Sequence, residues 1–263
     1  RPDFAAATVL SLWLCGLSAI AAVGQGMETF TAGHASPQAR VVIVQDPAAS
    51  EAFQPRLSII ESMISRGMTR LTGKPTAREA WQSLVKTQDV VGIKVYSTPG
   101  SLSGTRAAVV EAIVRSLMDA GLPPRQIVIW DKLEADLRQA GFRKLADHLG
   151  VRCAGALASG YDSEVFYDTP LLGTLIWSDF EYGKTGEGIG RKSFVSKLLT
   201  HDVTKLINVT PLLNSNEAGV SGNLGKRLND GGVGGYRLIG PACREQIGLE
   251  QNLAGGCEPV AKA

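Results

Sequence analysis

The fold is decided by residues 90–131, which have the sequence VVGIKVYSTPGSLSGTRAAVVEAIVRSLMDAGLPPRQIVIWD. Two short apolar runs, at 90–95 and 127–130, predict buried strands, and the apolar spacing over 105–120 predicts a helix. Gly121 follows that helix, as glycine commonly does at a helix C-terminus. Strand, helix and strand joined by short links are typical of a right-handed parallel crossover. The sequence therefore predicts an α/β fold with a mostly parallel, doubly wound sheet.

On the N-terminal side of this stretch, the pattern predicts one strand and two helices. Residues 40–44, RVVIV, form a short apolar run typical of a buried strand. The next apolar residues lie at helical spacing, namely Leu57, Ile60, Ile64, Met68 and Leu71. Thr76 and Glu79 have the spacing of a capping box, so a second helix should begin there and continue past Trp81.

On the C-terminal side, the periodicity is weaker. It predicts a helix at 133–140, strands at 151–154 and 205–209, and an extended pair or hairpin formed by 164–168 with 174–179. The segment 194–199 is compatible with a helix or a strand.

The domain organisation follows from these patterns. The chain shows no internal repeat and no second hydrophobic core, so we expect a single α/β domain at 40–228. A small, polar segment at 28–39 is interpreted as a linker. The Gly-rich residues 229–263 show no clear periodicity and are interpreted as a C-terminal tail.

Composition excludes several classes of partner and cofactor. The chain has 263 residues, of which 27 are Lys or Arg and 25 are Asp or Glu, and no basic run is present. We therefore expect no nucleic-acid partner. No Cys-x-x-Cys pair is present, so neither a structural zinc site nor an iron–sulfur cluster is indicated. We expect no metal and no cofactor.

Residues 4–27 carry no charged side chain and are rich in Ala, Leu, Val and Ile. As a helix this segment would reach about 36 Å, enough to cross a hydrocarbon core of about 30 Å. We expect a retained transmembrane helix or signal anchor, with the lipid bilayer and a membrane-protein complex as partners. The soluble domain would then lie in the periplasm or elsewhere outside the cytoplasm. The alternative is a signal peptide removed near Ala19-Ile20-Ala21, where the small residues suit a signal peptidase.

A candidate anion site lies at the predicted strand ends. The loop 97–104 is rich in Gly, Ser and Thr and leads directly into a helix, an arrangement that presents backbone amides to an anion. The candidate ligand-binding residues are Lys94, Ser97, Thr105, Arg106, Asn208, Asn216 and Ser221. Two structural interpretations compete with this one. The loop can be a solvent-exposed connection. Lys94 can form a structural ion pair with Asp131 at the end of the neighbouring strand, and the same position is compatible with a catalytic lysine.

Several of these segments together resemble the domain-of-unknown-function 362 family, some members of which are exported. The resemblance covers about residues 40–228 and rests on an ordered set of motifs: VGIKV at 91–95, TR at 105–106, AGLPP at 120–124, IVIWD at 127–131, LINV at 206–209 and EAGVSG at 217–222. A weaker analogy is to the N-terminal half of the lactate racemase nickel-pincer family. Family members usually carry a Lys, and often an Asp-His pair, where this chain has Leu212-Leu213-Asn214-Ser215. The resemblance thus implies that a proton-transferring or metal-binding group is missing.

These observations lead to two functional hypotheses. The first is a membrane-anchored, periplasm-facing accessory or scaffold subunit of a larger membrane complex. A respiratory or photosynthetic assembly is the candidate complex, and the anion pocket of the subunit would be eroded. The second is an exported enzyme or ligand-binding protein that acts on a small anionic molecule. No catalytic residue can be assigned from spacing, so we expect a non-catalytic role.

We predict a disulfide between Cys243 and Cys257. These cysteines bracket a tail with little apolar surface, and an exported domain meets an oxidising solvent. Cys153 should be buried and unpaired. Peptide mapping without reductant should recover the 243 and 257 peptides covalently linked, and recovery of both as free thiols would exclude the bond.

Overall fold

The structure is a computed structural model, and it describes residues 40–98, 100–168, 172–215, 219–221 and 246–251. From residue 213 onward only the backbone elements are described. The chain divides into two compact units, Arg1–Arg40 and Val41–Ala263, and the elements below belong to the second. The predicted anchor and linker, Asn216 and the cysteines at 15, 243 and 257 lie outside the described residues.

The first half of the domain supplies most of the helices. A 3-10 helix at Pro47–Ala49 comes first, and the elements that follow are β1 (Ser50–Glu51), β2 (Gln54–Pro55), α1 (Leu57–Thr72), α2 (Ala77–Leu84), β3 (Val91–Lys94), α3 (Ala107–Asp119), β4 (Ile127–Asp131), α4 (Glu134–Gln139) and α5 (Phe142–Leu149). The predicted helices near 57–71, 76–84, 105–120 and 133–140 are therefore confirmed. Helix α5 was not predicted, and Gly141 with φ 88° separates it from α4.

The second half consists mainly of strands. Its elements are β5 (Arg152–Gly155), α6 (Ala156–Ser159), β6 (Tyr161–Asp168), β7 (Lys192–Ser196), a π-helix at Leu198–Asp202, β8 (Lys205–Pro211), β9 (Leu213–Ser215), β10 (Gly219–Ser221) and β11 (Gln246–Gln251). Strand β11 lies within the segment that the sequence suggested to be an irregular tail.

The central sheet has five strands in the order β11-β8-β3-β4-β5. Every neighbouring pair in it is parallel. Helix α3 connects β3 to β4, and helices α4 and α5 connect β4 to β5. The α/β fold and the parallel crossovers predicted from residues 90–131 are therefore confirmed.

Both faces of the sheet are covered. Alternate residues of β4 belong to two different hydrophobic clusters, one on each face. Ile127 and Ile129 belong to a hydrophobic cluster with the buried residues of α1, α2, α3 and α5. Val128 and Trp130 belong to a second cluster that includes Leu198 from the π-helix. Because both faces are buried, the strands are continuous apolar runs, which is the pattern expected of a parallel sheet.

One glycine in β3 is required by close packing. A Cβ atom on Gly92 would lie 2.9 Å from both methyl carbons of Val203 and 3.1 Å from Trp130 Nε1. Carbon atoms in van der Waals contact stand about 3.5–4.0 Å apart, so only glycine fits here. The second cluster can therefore approach the sheet closely at the centre of β3.

The prediction of a buried strand at 40–44 is wrong. The segment belongs to none of the strands that the structure describes, and Val41 and Ile43 are 78% and 80% exposed. Val44 Cγ2 lies 3.5 Å from the position that a Cβ on Gly67 would occupy, so the segment lies against α1. A short apolar run does not distinguish a buried strand from an extended segment packed on a helix.

The predicted pairing of 164–168 with 174–179 is also wrong. Strand β6 pairs antiparallel with β7, and 174–179 belongs to the intervening loop. Ser178 has φ 83°, and the amide of Asp179 donates a hydrogen bond to the carbonyl of Ile176, 3.0 Å away. This turn cannot form within a strand, and nothing in the hydropathy pattern indicated it.

Among the described residues, no helix combines the length and the hydropathy that crossing a bilayer requires.

We expect Thr76→Ala to lower the free energy of unfolding by about 1 kcal/mol. The Thr76 hydroxyl accepts a hydrogen bond from the Glu79 amide at 3.2 Å and donates to Glu79 Oε1 at 3.0 Å, so the N-cap half of the predicted capping box is present. Urea unfolding followed by circular dichroism measures the loss. Thr76→Ser keeps the hydroxyl and should remain close to wild type, and an equal loss in both variants would contradict the cap.

Candidate functional site

The candidate residues lie at the point where the strand order of the sheet reverses. From β3 the chain adds β4 and β5 on one side, and then returns to place β8 on the other side. Ligands of open α/β sheets bind at the carboxyl ends of strands beside such a reversal. Lys94 of β3 is paired in register with Asn208 of β8 at this position. Sequence analysis and topology thus indicate the same part of the sheet.

The Lys94 ammonium forms a buried ion pair with Asp131. Its Nζ lies 2.9 Å from Asp131 Oδ1 and donates a second hydrogen bond to the carbonyl of Val95 at 2.6 Å. Lys94 is 1% exposed and Asp131 is 3% exposed. The Trp130 ring centroid lies 5.6 Å from the same nitrogen. The structural ion pair, one of the two interpretations of Lys94, is therefore present.

Asp131 also binds the loop that follows β3. Its Oδ2 accepts hydrogen bonds from the amide of Ser97 at 2.7 Å and from the Ser97 hydroxyl at 2.5 Å. Its Oδ1 also accepts from the amide of Lys132 at 2.7 Å. Burial alone would raise the pKa of Asp131, but the Lys94 charge and the Ser97 donors outweigh it and hold this pKa below its usual value. Asp131 is therefore a carboxylate at neutral pH.

The Thr105 hydroxyl joins the β3 loop to β8. It donates to the carbonyl of Val209 at 2.6 Å and accepts from the amide of Tyr96 at 2.8 Å. Thr105 is 1% exposed. It therefore fills the crevice between the ends of β3 and β8 with a side chain whose donor and acceptor are both used.

The loop 97–104 uses its own backbone amides. The amide of Gly100 donates to the carbonyl of Ser97, that of Gly104 to Gly100, and that of Thr105 to Tyr96. A Cβ on Gly104 would overlap the Tyr96 carbonyl oxygen and lie 2.9 Å from that of Gly100, so this turn needs glycine. These three amides are among the groups expected to bind an anion, and each donates to a nearby backbone carbonyl instead.

The remaining candidates are Arg106, Asn208 and Ser221. Arg106 is partly exposed, and its Nη1 donates to the carbonyl of Ser101 at 2.9 Å. Asn208 and Thr210 are buried on β8. Ser221 belongs to β10, and its side chain is not among the described ones. The structure thus brings Lys94, Ser97, Thr105 and Asn208 to one end of the sheet, whereas Arg106 binds the loop.

Cys153 is a free thiol, as predicted, although it is half-buried rather than fully buried. Burial raises the pKa of this thiol to about 11. The thiolate is the nucleophilic form of cysteine, so Cys153 is unreactive at neutral pH. Among the described residues, no group of three or more His, Cys, Asp or Glu side chains could hold a metal ion.

Sequence analysis missed a second ion pair beside the first. Lys132 Nζ lies 3.1 Å from Asp179 Oδ1, and Asp179 is buried. This contact fixes the loop between β6 and β7 to the end of β4. The two residues are far apart in sequence and have no shared motif, so no spacing rule could have indicated the contact.

Comparison with known proteins identifies no family. No protein-family model and no curated protein matches the chain. One similar solved structure is a crystal structure of a Thermotoga maritima protein from a structural genomics consortium, 16% identical, with a TM-score of 0.39. The match covers 73% of this chain and 40% of that chain, so it spans less than half of the Thermotoga protein. A likeness this weak supports no conclusion about function.

We expect Lys94→Met to lower the free energy of unfolding by about 3–5 kcal/mol, because it leaves the Asp131 carboxylate buried without its cation. The double variant Lys94→Met/Asp131→Leu removes both charges and should recover part of that loss, although the Ser97 and Lys132 donors still lose their acceptor. A double-mutant cycle from urea unfolding measures the coupling. Additive losses in the cycle would show that the pair contributes no coupling.

The same pair predicts a difference in acid stability. The pKa of Asp131 is lowered in the folded state, so its contribution to stability is complete above the unfolded-state pKa of about 3.9 and is lost as the pH falls through the lower folded value. Below about pH 4, wild type should therefore lose stability more steeply than Lys94→Met/Asp131→Leu. Unfolding midpoints measured across this range test it, and parallel curves would contradict it.

Proposed function

We propose that the chain is a membrane-anchored, periplasm-facing accessory or scaffold subunit of a larger membrane complex. The observation that carries this proposal is the internal bonding at the strand ends. Lys94, Ser97 and Thr105 use their polar groups on Asp131, Val95, Tyr96 and Val209. Groups engaged in this way hold the sheet and its loop together, which is the role that a scaffold requires.

The same bonding argues against chemistry at Lys94. A nucleophilic or basic lysine needs access to a substrate, whereas this ammonium is 1% exposed. Its two assigned acceptors, the Asp131 carboxylate and the Val95 carbonyl, are both buried beside it. Opening the site would expose a paired charge and disrupt the end of β3.

The membrane assignment rests on residues 4–27, whose uncharged composition suits a bilayer-spanning helix. A helix of this kind would connect the domain to a membrane complex through contacts within the bilayer. We retain the resemblance to the domain-of-unknown-function 362 family as part of the proposal, with the missing Lys and Asp-His positions favouring a non-catalytic member.

The alternative is an exported enzyme or ligand-binding protein for a small anionic molecule. The position of Lys94 beside Asn208, at the reversal of strand order, favours it. This alternative requires that an anion compete with Asp131 for the Lys94 ammonium.

Isolation from native membranes tests the proposal. The tagged full-length chain, solubilised in mild detergent, should migrate as part of a large assembly on native gels, and deletion of residues 4–27 should release it. The variant Lys94→Met/Asp131→Leu, where circular dichroism shows it to be folded, should still assemble, because the proposed attachment is through residues 4–27 and not through a ligand at Lys94. A chain that purifies alone would contradict the scaffold role.

The alternative makes the opposite prediction for the same double variant. If the folded double variant loses a measurable turnover or a bound anion that wild type has, the enzyme or binding-protein function replaces the scaffold function. Circular dichroism of both proteins provides the folding control.

A further inference from the structure

The loop between β6 and β7 buries two of its acidic side chains and exposes apolar ones. Asp179 and Glu181 are buried, whereas Ile176 and Trp177 are 56% and 64% exposed. The usual arrangement of a soluble loop is the reverse, because burying a charge is costly unless it is paired. The exposed apolar side chains therefore need an explanation beyond the stability of the loop.

Internal bonds fix this loop firmly. Asp179 Oδ1 pairs with Lys132, and Asp179 Oδ2 accepts a hydrogen bond from the amide of Ile176 at 2.9 Å. Glu181 Oε2 accepts from the amide of Gly190 at 2.9 Å, and the Tyr161 hydroxyl donates to the carbonyl of Ser178 at 3.1 Å. The two buried acids thus hold the backbone, and the exposed side chains project from a defined structure.

We name the exposed set the aromatic surface, and it consists of Leu172, Ile176, Trp177, Phe180 and Tyr182. Indole and phenol rings have an apolar body with one polar end, and they are enriched where a bilayer meets water. Leucine and isoleucine add the purely apolar area that enters the boundary of the acyl chains.

Basic side chains accompany the aromatic surface. Lys184 Nζ lies 4.2 Å from the Phe180 ring centroid, and Lys192 Nζ lies 4.2 Å from the Phe166 centroid. Lys184 and Arg191 are exposed, as are the acids Glu187 and Asp168, and Arg191 pairs with Asp168 at 3.3 Å. Since Asp179 and Glu181 are buried, Lys184, Arg191 and the half-buried Lys192 exceed these two exposed acids by one positive charge. Such a surface attracts anionic lipid headgroups.

We propose that the aromatic surface inserts into the headgroup region of a bilayer that contains anionic lipid. A protein partner is the competing occupant. A stable protein–protein interface uses about 20–30 residues on each side, whereas this apolar set has five members. The mixture of Trp, Tyr, Leu and Ile with flanking cations has the composition of an interfacial membrane contact. The inference depends on the described loop and not on residues 4–27.

Fluorescence of Trp177 in vesicles tests this contact. The full-length chain is reconstituted with phosphatidylcholine vesicles, with or without phosphatidylglycerol, whose acyl chains carry bromine as a contact quencher. The chain has four tryptophans, so the signal of Trp177 is taken as wild type minus Trp177→Phe. In anionic vesicles, bromine should quench this Trp177 fluorescence by about half or more, and in neutral vesicles the quenching should be smaller.

Two variants and one matched control refine the result. Ile176→Ser should reduce the quenching of Trp177 severalfold, because it removes apolar area from the inserted surface. Ile43→Ser is the matched control, since Ile43 is 80% exposed on a different segment, and it should leave the quenching unchanged. Lys184→Gln should reduce the difference in Trp177 quenching between anionic and neutral vesicles.

The inference would be overturned if Trp177 fluorescence in anionic vesicles is not quenched by bromine but is still quenched by aqueous acrylamide. This holds whether or not the chain co-floats with the vesicles in a density gradient. Protection of Trp177 only in a native membrane assembly would overturn it in favour of a protein partner. The vesicle result concerns the loop alone. Association with a native assembly concerns the proposed function, so either can fail without the other.

Discussion

The ion pair between Lys94 and Asp131 organises the carboxyl end of the sheet. It connects β3 to β4 through side chains at 2.9 Å, at the position where the backbone pairing of the two strands ends. Asp131 then binds the amide and hydroxyl of Ser97, which sets the path of the chain after β3. With that path set, Thr105 can reach Val209 and close the crevice beside β8. One charged pair therefore determines the geometry of three strand ends.

Most of the fold was predictable from residues 90–131, because a parallel sheet buried on both faces leaves long apolar runs. The capping box at Thr76 was equally clear, since its hydrogen bonds are local in sequence. The errors at 40–44 and 174–179 have a different origin. Hydropathy records which residues are apolar but not which surface covers them. The strand partner of β6, the turn at Ser178 and strand β11 all depend on tertiary contacts that leave no periodic signal.

The candidate site was predictable in position but not in its bonding. Small residues after a strand and before a helix indicated the loop 97–104, and the structure places it at the reversal of strand order. The amides of this loop can donate to a ligand or to carbonyls of the loop itself. Which of the two occurs depends on backbone dihedral angles, and composition does not determine these angles. Gly100, with φ 77°, accepts from the amide of Gly104 and turns the loop back on itself. The same residues that suit an anion cradle can therefore build a closed turn.

The end of β4 connects this network to the loop between β6 and β7. Asp131 and Lys132 are adjacent, and each forms an ion pair with a different part of the chain. Lys132 also donates its amide to Asp131 Oδ1, so the two pairs share one short piece of backbone. The loop that carries Trp177 is thus held by the same strand end that closes the crevice beside β8. The side chains of Asp131 and Lys132 therefore hold two surface loops in defined positions, one after β3 and one between β6 and β7.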